Sequence, residues 1–221
     1  MSEDSGLEVR VEVPDVAVGI VYGGGCEVGP SPSGLERALD DAVARAAERE
    51  DTQEHTKAVR GMLRHGKYKP TGRGKPASEY LLGAARDSKF PRINNLVDIN
   101  NLVSLETLLP VSVVDIGQAR TRRFVVRHGR EGESYVFNDS GQEIDLEDLL
   151  LVATADDDRP CANPVKDCMD TKVVPETREV MAVLYAPDAL VETLQQATER
   201  FAEALSRWGG AERVDRAIVQ I

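Results

Sequence analysis

At 221 residues, with 41% hydrophobic and 29% charged residues, the chain has length for one sizeable core and an ordinary globular composition. No apolar run approaches the roughly 18 residues that a membrane-crossing helix needs, and the acidic opening MSEDSGLEV has no apolar signal core, so a cytoplasmic protein without a membrane partner is expected. A net charge of −11 excludes a uniformly basic nucleic-acid binder.

Leu7, Val9, Val11 and Val13 alternate with polar residues, the period-2 mark of a half-buried strand. Residues 16–22 read as a second strand, ended by Gly23-Gly24-Gly25. Those glycines do not have GxGxxG spacing, and Pro30 and Pro32 delay the helix that a dinucleotide site requires. Ser33 is expected to cap a helix, with Glu36 completing a capping box. Its apolar face is Leu35, Ala38, Leu39, Ala42, Val43 and Ala46. A second helix is predicted over residues 52–65, with Gly66 as its stop.

The loop HGKYKPTGRGKP follows. Gly72-Arg73-Gly74-Lys75 is no phosphate-binding P-loop, because Pro76 stands where Ser or Thr would hold magnesium. The loop's cations suit a polyanion groove, with Tyr68 offering a face for a base; a mobile surface loop without ligand fits as well. Residues 78–86 form a short helix.

Residues 90–115, FPRINNLVDINNLVSLETLLPVSVVD, organise the chain. Pro91 breaks the preceding element, Asn94 or Asn95 caps a helix, and Pro110 stops it. Leu96, Ile99, Leu102, Val103, Leu105 and Leu108 cover more than one helical face, so this helix packs on several sides. The β-branched run from Val111 begins a strand. Asp98, Asn100, Asn101 and Ser112 lie inside the apolar block. Each must be paired or face a cavity.

Beyond Asp115, strands are expected at residues 124–126 and 135–137, the latter turning at Asp139-Ser140-Gly141 into a hairpin with residues 142–144. Residues 149–152 and 180–185 read as buried segments around an irregular stretch from Asp156 to Pro175. Asp188 is expected to cap a last amphipathic helix ending at Gly209-Gly210, and residues 217–221 to close as a strand. Clustered strands indicate an α+β fold with layered, mostly antiparallel or mixed sheets. Residues 1–50 are read as strands and a helix packed on a main domain of residues 51–221, the whole forming one structural unit.

Charge is unevenly spread. Between His55 and Arg92 stand ten Lys or Arg (among them Arg60, Arg64, Lys67, Lys69, Arg73 and Lys75) against Glu79 and Asp87, a local balance of +8 that leaves −19 on the remainder. A local positive field is what phosphate binding requires. A solvated basic loop fits the same pattern. His55, His65 and His128 have no metal-ligand spacing, Cys161 and Cys168 form no close pair, and the cysteine count fits reduced thiols, so neither metal nor cofactor is expected.

The order Ile93-Asn94, Leu96-Val97-Asp98-Ile99, Asn101, Val103-Ser104-Leu105, Pro110 and Asp115 resembles the B3/B4 domain of the phenylalanyl-tRNA synthetase β subunit, and particularly freestanding proteins built from that domain. Weaker similarity runs through Lys69-Pro70, Ser78-Glu79, Arg127, Glu131-Gly132-Glu133 and Asp167 to Thr171. The resemblance implies a β-sandwich-like core flanked by helices, and an editing role: a trans-acting hydrolase of mischarged aminoacyl-tRNA, not a synthetase. It places Asn100 at a family threonine, Pro110 at a proline and Ser112 at a family histidine, so the imidazole is missing. The expected catalytic set is Asn100, Ser112, Asp167 and Thr171, converging on one pocket, with Asp98, Pro110 and Lys166 toward substrate. The RNA contact is expected from Arg60, Arg64, Lys67, Lys69, Arg73 and Lys75. A non-catalytic module of the same fold, binding an amino acid, nucleotide or protein, is the competing expectation.

Overall fold

The computed structural model describes residues 5–50 and 52–221. Asp51, where the expected domain boundary falls, and the first four residues of the acidic opening lie outside the described residues. Along the chain run β1 (Glu8–Val11), β2 (Val16–Gly24), α1 (Ser33–Glu48), α2 (Gln53–Leu63), α3 (Ala77–Arg86), α4 (Asn95–Thr107), β3 (Val111–Asp115) and α5 (Ile116–Ala119). The second half adds β4 (Arg123–His128), β5 (Ser134–Val136), β6 (Glu143–Asp145), β7 (Leu150–Thr154), β8 (Pro160–Ala162), β9 (Glu179–Pro187), α6 (Val191–Trp208) and β10 (Arg213–Val219).

β2 is buried along its whole length because both of its faces are covered. Ala17 and Val21 join a core with the helices, while Val16, Val18, Ile20 and Tyr22 point the other way, as a period of two requires. The strand belongs to an antiparallel sheet ordered β10-β2-β9-β3. Its far face packs on a mixed sheet ordered β1-β4-β7-β8, in which only β1 and β4 run parallel. The result is an α+β arrangement of three layers: α1, α3, α4 and α6, then the antiparallel sheet, then the mixed sheet. The β5–β6 hairpin stands apart as a third small sheet. The N-terminal segment is woven into both large sheets through β1 and β2.

Local signals placed most elements. Asn94 accepts from the Val97 N–H and so caps α4, and Leu108 ends it in the left-handed region at φ 60°. Other expectations need correction. Pro32, extended at φ −66° and ψ 154°, takes the N-cap position of α1 and leaves Ser33 inside the first turn, so no capping box forms. Asp188 opens a 3-10 turn to Leu190 and makes no side-chain cap; α6 begins at Val191. The stretch read as irregular contains β8, three residues long and joined at a register shift. β10 starts at Arg213, earlier than expected, because its charged residues hide the strand pattern.

Candidate functional site

The central helix α4 brings polar groups into the core, and most serve the fold. Asp98 is buried and accepts from the Ser31 hydroxyl (2.7 Å) and the Ile93 N–H (2.9 Å). It therefore fastens the lead-in segment to the helix. Asn95 accepts from the Gly29 N–H and donates to the carbonyls of Glu27 (2.8 Å) and Trp208 (2.9 Å). Pro110 offers its carbonyl to the Tyr185 N–H at 3.1 Å. Asn100 is 8% exposed, donates weakly to Asn101 Oδ1 (3.4 Å), and keeps its own Oδ1 buried without a partner.

Ser112 lies on the other side of the antiparallel sheet. Val111 and Val113 face the helices, so alternation turns Ser112 toward the mixed sheet. Its hydroxyl donates to the Asn163 carbonyl (3.1 Å) and accepts from the Tyr185 hydroxyl (3.2 Å). Asn163 extends the cluster. Its Oδ1 accepts from the N–H groups of Val165 and Lys166, both at 2.8 Å, and its Nδ2 donates to the Tyr135 hydroxyl. Tyr135 in turn donates to the Lys166 carbonyl at 2.6 Å. These bonds fold residues 163–167 into a tight turn that carries Asp167 against Ser112.

Asp167 is the chemically distinctive member. Burial raises its carboxyl pKa to about 6, although the Ser112 hydroxyl and the Val113 N–H lie alongside and draw it partway back. None of these groups closes a hydrogen bond onto Oδ1, which is shut off from solvent and has no partner. Burial also raises the Tyr135 and Tyr185 hydroxyls far above the usual range, so both stay protonated donors. A carboxyl that titrates close to neutrality fits proton transfer.

The structure thus brings Ser112 and Asp167 together and leaves Asn100 in the helical layer, with a sheet between them. Thr171 follows the Asp167 turn but donates inward to the Cys161 carbonyl at 2.6 Å. A cleft of about 370 Å³ opens beside Arg10, Arg123 and Val219, and one of about 190 Å³ beside Asp115, Gln118 and Glu179. Neither is lined by Asn100, Ser112, Asp167 or Thr171. Reading the sequence missed Asn163, Tyr135 and Tyr185. The Asn163-Pro164 pair was the available signal, as a turn former.

The basic loop sits next to the Asp167 turn. The Ala77 N–H donates to the Pro164 carbonyl (2.9 Å), which ties the start of α3 to that turn. Not all of the loop's cations are available. Arg60, on the preceding helix, makes a bidentate pair of hydrogen bonds to the Glu79 carboxylate (2.6 and 2.5 Å) and so joins α2 to α3. Lys67 pairs with Glu147 at 2.7 Å, while Gly66, at φ 45°, lets the Asp148 carboxylate approach where a Cβ would collide. Arg64, Lys69, Arg73 and Lys75 are exposed and make no ion pair among the described residues. Tyr68 is turned inward: its hydroxyl donates to the Gly74 carbonyl (2.7 Å), so it braces the loop and is no open stacking face.

Further motif residues are structural. Arg127, 5% exposed, forms a double ion pair with Glu133 (2.7 and 2.9 Å) and reaches Asp158 at 2.8 Å. Cys26, Cys161 and Cys168 are buried thiols, and burial raises each pKa. No group of three or more potential metal ligands occurs among the described residues. No helix among them is long and apolar enough to cross a membrane.

Comparison with known proteins gives a consistent picture. Residues 70–218 match the model of the B3/4 domain. Over 107 residues, 48% of the chain, the sequence is 34% identical to the phenylalanine–tRNA ligase beta subunit of Symbiobacterium thermophilum. The matched part is 12% of that relative's length. Among solved structures, an N-terminal fragment of the phenylalanyl-tRNA synthetase beta-subunit from Pyrococcus horikoshii aligns over 97% of the chain and 51% of the fragment. Its TM-score is 0.50 at 9% identity, a likeness of fold alone.

Proposed function

The chain belongs to the B3/4 domain family, and from that membership we propose that it binds tRNA through its basic loop and hydrolyses mischarged aminoacyl-tRNA at the Ser112–Asp167 cluster. The observation that carries the reading is Asp167: a carboxyl with a pKa of about 6 and an unpartnered oxygen, one bonded contact from a cationic loop. Once the 163–167 turn opens to admit water and the ester, this carboxylate takes a proton from the attacking water near neutral pH, the general-base role that the missing histidine leaves vacant. Beside it the Tyr185 and Ser112 hydroxyls form a neutral hydrogen-bonded chain that ends on the Asn163 carbonyl. Arg64, Lys69, Arg73 and Lys75 hold the polyanion, and the acidic remainder of the chain limits non-specific binding.

Turnover of a panel of mischarged tRNAs tests the chemistry. Asp167→Asn should abolish hydrolysis while leaving tRNA binding intact. Unchanged turnover in that variant would remove Asp167 from the reaction.

One observation favours a non-catalytic module instead. The Ser112 hydroxyl is already engaged by Asn163 and Tyr185, and neither described cleft reaches it. On that reading the protein binds tRNA or another ligand without turning it over, and every mischarged tRNA survives incubation with it.

A further inference from the structure

We propose that two copies of this chain pair edge to edge through β10, antiparallel about a two-fold axis at Val214, so that the antiparallel sheet of one copy continues into that of the other. β10 ends its sheet, with β2 on the inner side and no strand on the outer side among the described residues. Over its seven residues, Arg213–Val219, such an edge presents backbone groups that a further strand can extend. Val214 and Ile218 face the helical layer and Val219 the space between the sheets, all of them half-buried, so a strand alongside would finish covering them. The larger cleft, of about 370 Å³, opens along the same edge, between Ala217 and Val219 on β10 and Leu7 and Val9 on β1. The core is therefore least closed where β10 lacks a neighbour.

The order of charge identifies the neighbour as a second copy. Residues 211–217 read Ala-Glu-Arg-Val-Asp-Arg-Ala, so positions equally far from Val214 hold either two alanines or two opposite charges. Residues directly opposite in an antiparallel pair share a face of the sheet, and a two-fold axis perpendicular to the sheet preserves the faces. With that axis at Val214, Glu212 meets Arg216 of the second copy and Arg213 meets its Asp215, each pair occurring twice. Moving the axis to 213, 215 or 216 sets Arg213, Asp215 or Arg216 against itself, which is unfavourable. Charged edge residues ordinarily keep strands apart; their order here favours the one register that pairs acid with base. Contacts across the seam add to those made within each copy. Arg216 pairs with Glu199 at 2.6 Å, but both side chains are about half exposed, and such a pair holds its members weakly. Arg213 reaches the Tyr22 hydroxyl at 3.4 Å, a long bond. The same axis sets helical layer beside helical layer and mixed sheet beside mixed sheet.

Sedimentation equilibrium of the full chain over roughly a hundredfold range of concentration tests for the dimer. Val214→Cys tests the register: the opposed α-carbons at the axis lie about 4.5 to 5.5 Å apart, within disulfide reach, so mild oxidation should cross-link this variant. The chain's own three thiols are buried and do not compete. Ala217→Cys, held about 20 Å from its copy in this register, should stay uncross-linked. Arg213→Glu with Arg216→Glu in one chain, and Glu212→Lys with Asp215→Lys in another, should each weaken self-association roughly tenfold or more, and mixing the two chains should restore a heterodimer. A chain that stays monomeric throughout the range, and whose Val214→Cys variant does not cross-link, overturns the proposal. So does cross-linking of Ala217→Cys in place of Val214→Cys, or a dimer that the arginine reversals leave unchanged, since either puts the contact elsewhere.

Discussion

The imidazoles of His65 and His128 lie face to face, their centres 3.7 Å apart and their planes within 5° of parallel. Burial and the neighbouring His65 push the His128 pKa down to about 4, with only Asp148 pulling the other way. Between pH 6.5 and about 4 the unfolded chain binds a proton at this position that the folded chain refuses. Stability supplied by His128 is therefore present above pH 6.5 and lost as the pH falls. His128→Gln should remove about 2 kcal/mol of acid sensitivity over that window. Urea midpoints measured at pH 4.5 and 7 give the answer, and an unaltered pH slope in the variant would show that His128 is not the source of the acid sensitivity.

Asp167 works in the opposite direction. Its folded-state pKa, raised to about 6, lies above the ordinary 3.8, so the folded chain holds a proton that the unfolded chain has released. Its effect is to lower stability as the pH climbs from about 4 to 6. Asp167→Asn should stabilise the protein at pH 8 by on the order of 2 kcal/mol and have little effect at pH 4. Guanidinium unfolding at both pH values measures it. Gain in stability coupled to loss of turnover would mark Asp167 as a site where function opposes folding.

Asn95 is a structural hub. One amide satisfies the Gly29 N–H and the carbonyls of Glu27 and Trp208, linking the loop after β2 and the end of α6 to the start of α4. Asn95→Ala leaves all three groups without their partner in a buried setting, and a loss of about 3 kcal/mol is expected. Asn95→Asp keeps the acceptor but loses both donors, so it should be nearly as damaging. Thermal unfolding of the two variants checks this; a drop of only a degree or two would mean that water replaces the amide.

How far these features are visible in the sequence depends on the range of the interaction. The Asn94 cap, the density of apolar residues in α4 and the apolar run of β2 are local, and each corresponds to the element found. The Ser33 box was a local signal overruled by a neighbour, because Pro32 already supplied the extended residue before the helix. The Ser112–Asn163–Tyr135 cluster joins segments far apart in the chain, and no spacing rule announces it. Motif alignment put Asn100 beside Ser112, whereas strand alternation turns Ser112 away from the helical layer. Charge counting found the basic segment but not the partners of Arg60 and Lys67, of which Glu147 lies on another element.

Arg127 gives the last prediction. Its guanidinium is 5% exposed as a residue and is satisfied by Glu133, by Asp158 and by the His128 carbonyl. Glu133 also accepts from the Arg130 N–H, so one carboxylate closes the turn that follows β4 and balances a buried cation. The pair lowers the Glu133 pKa against the opposing effect of burial. Removing one partner of such a pair leaves a charge in the interior, which costs more than the pair itself contributes. Glu133→Ala should therefore cost about 3 kcal/mol, and Glu133→Gln, which retains an acceptor oxygen, about half as much. Urea denaturation at neutral pH separates the two. Equal, small losses in both variants would mean that Asp158 alone is enough to hold Arg127.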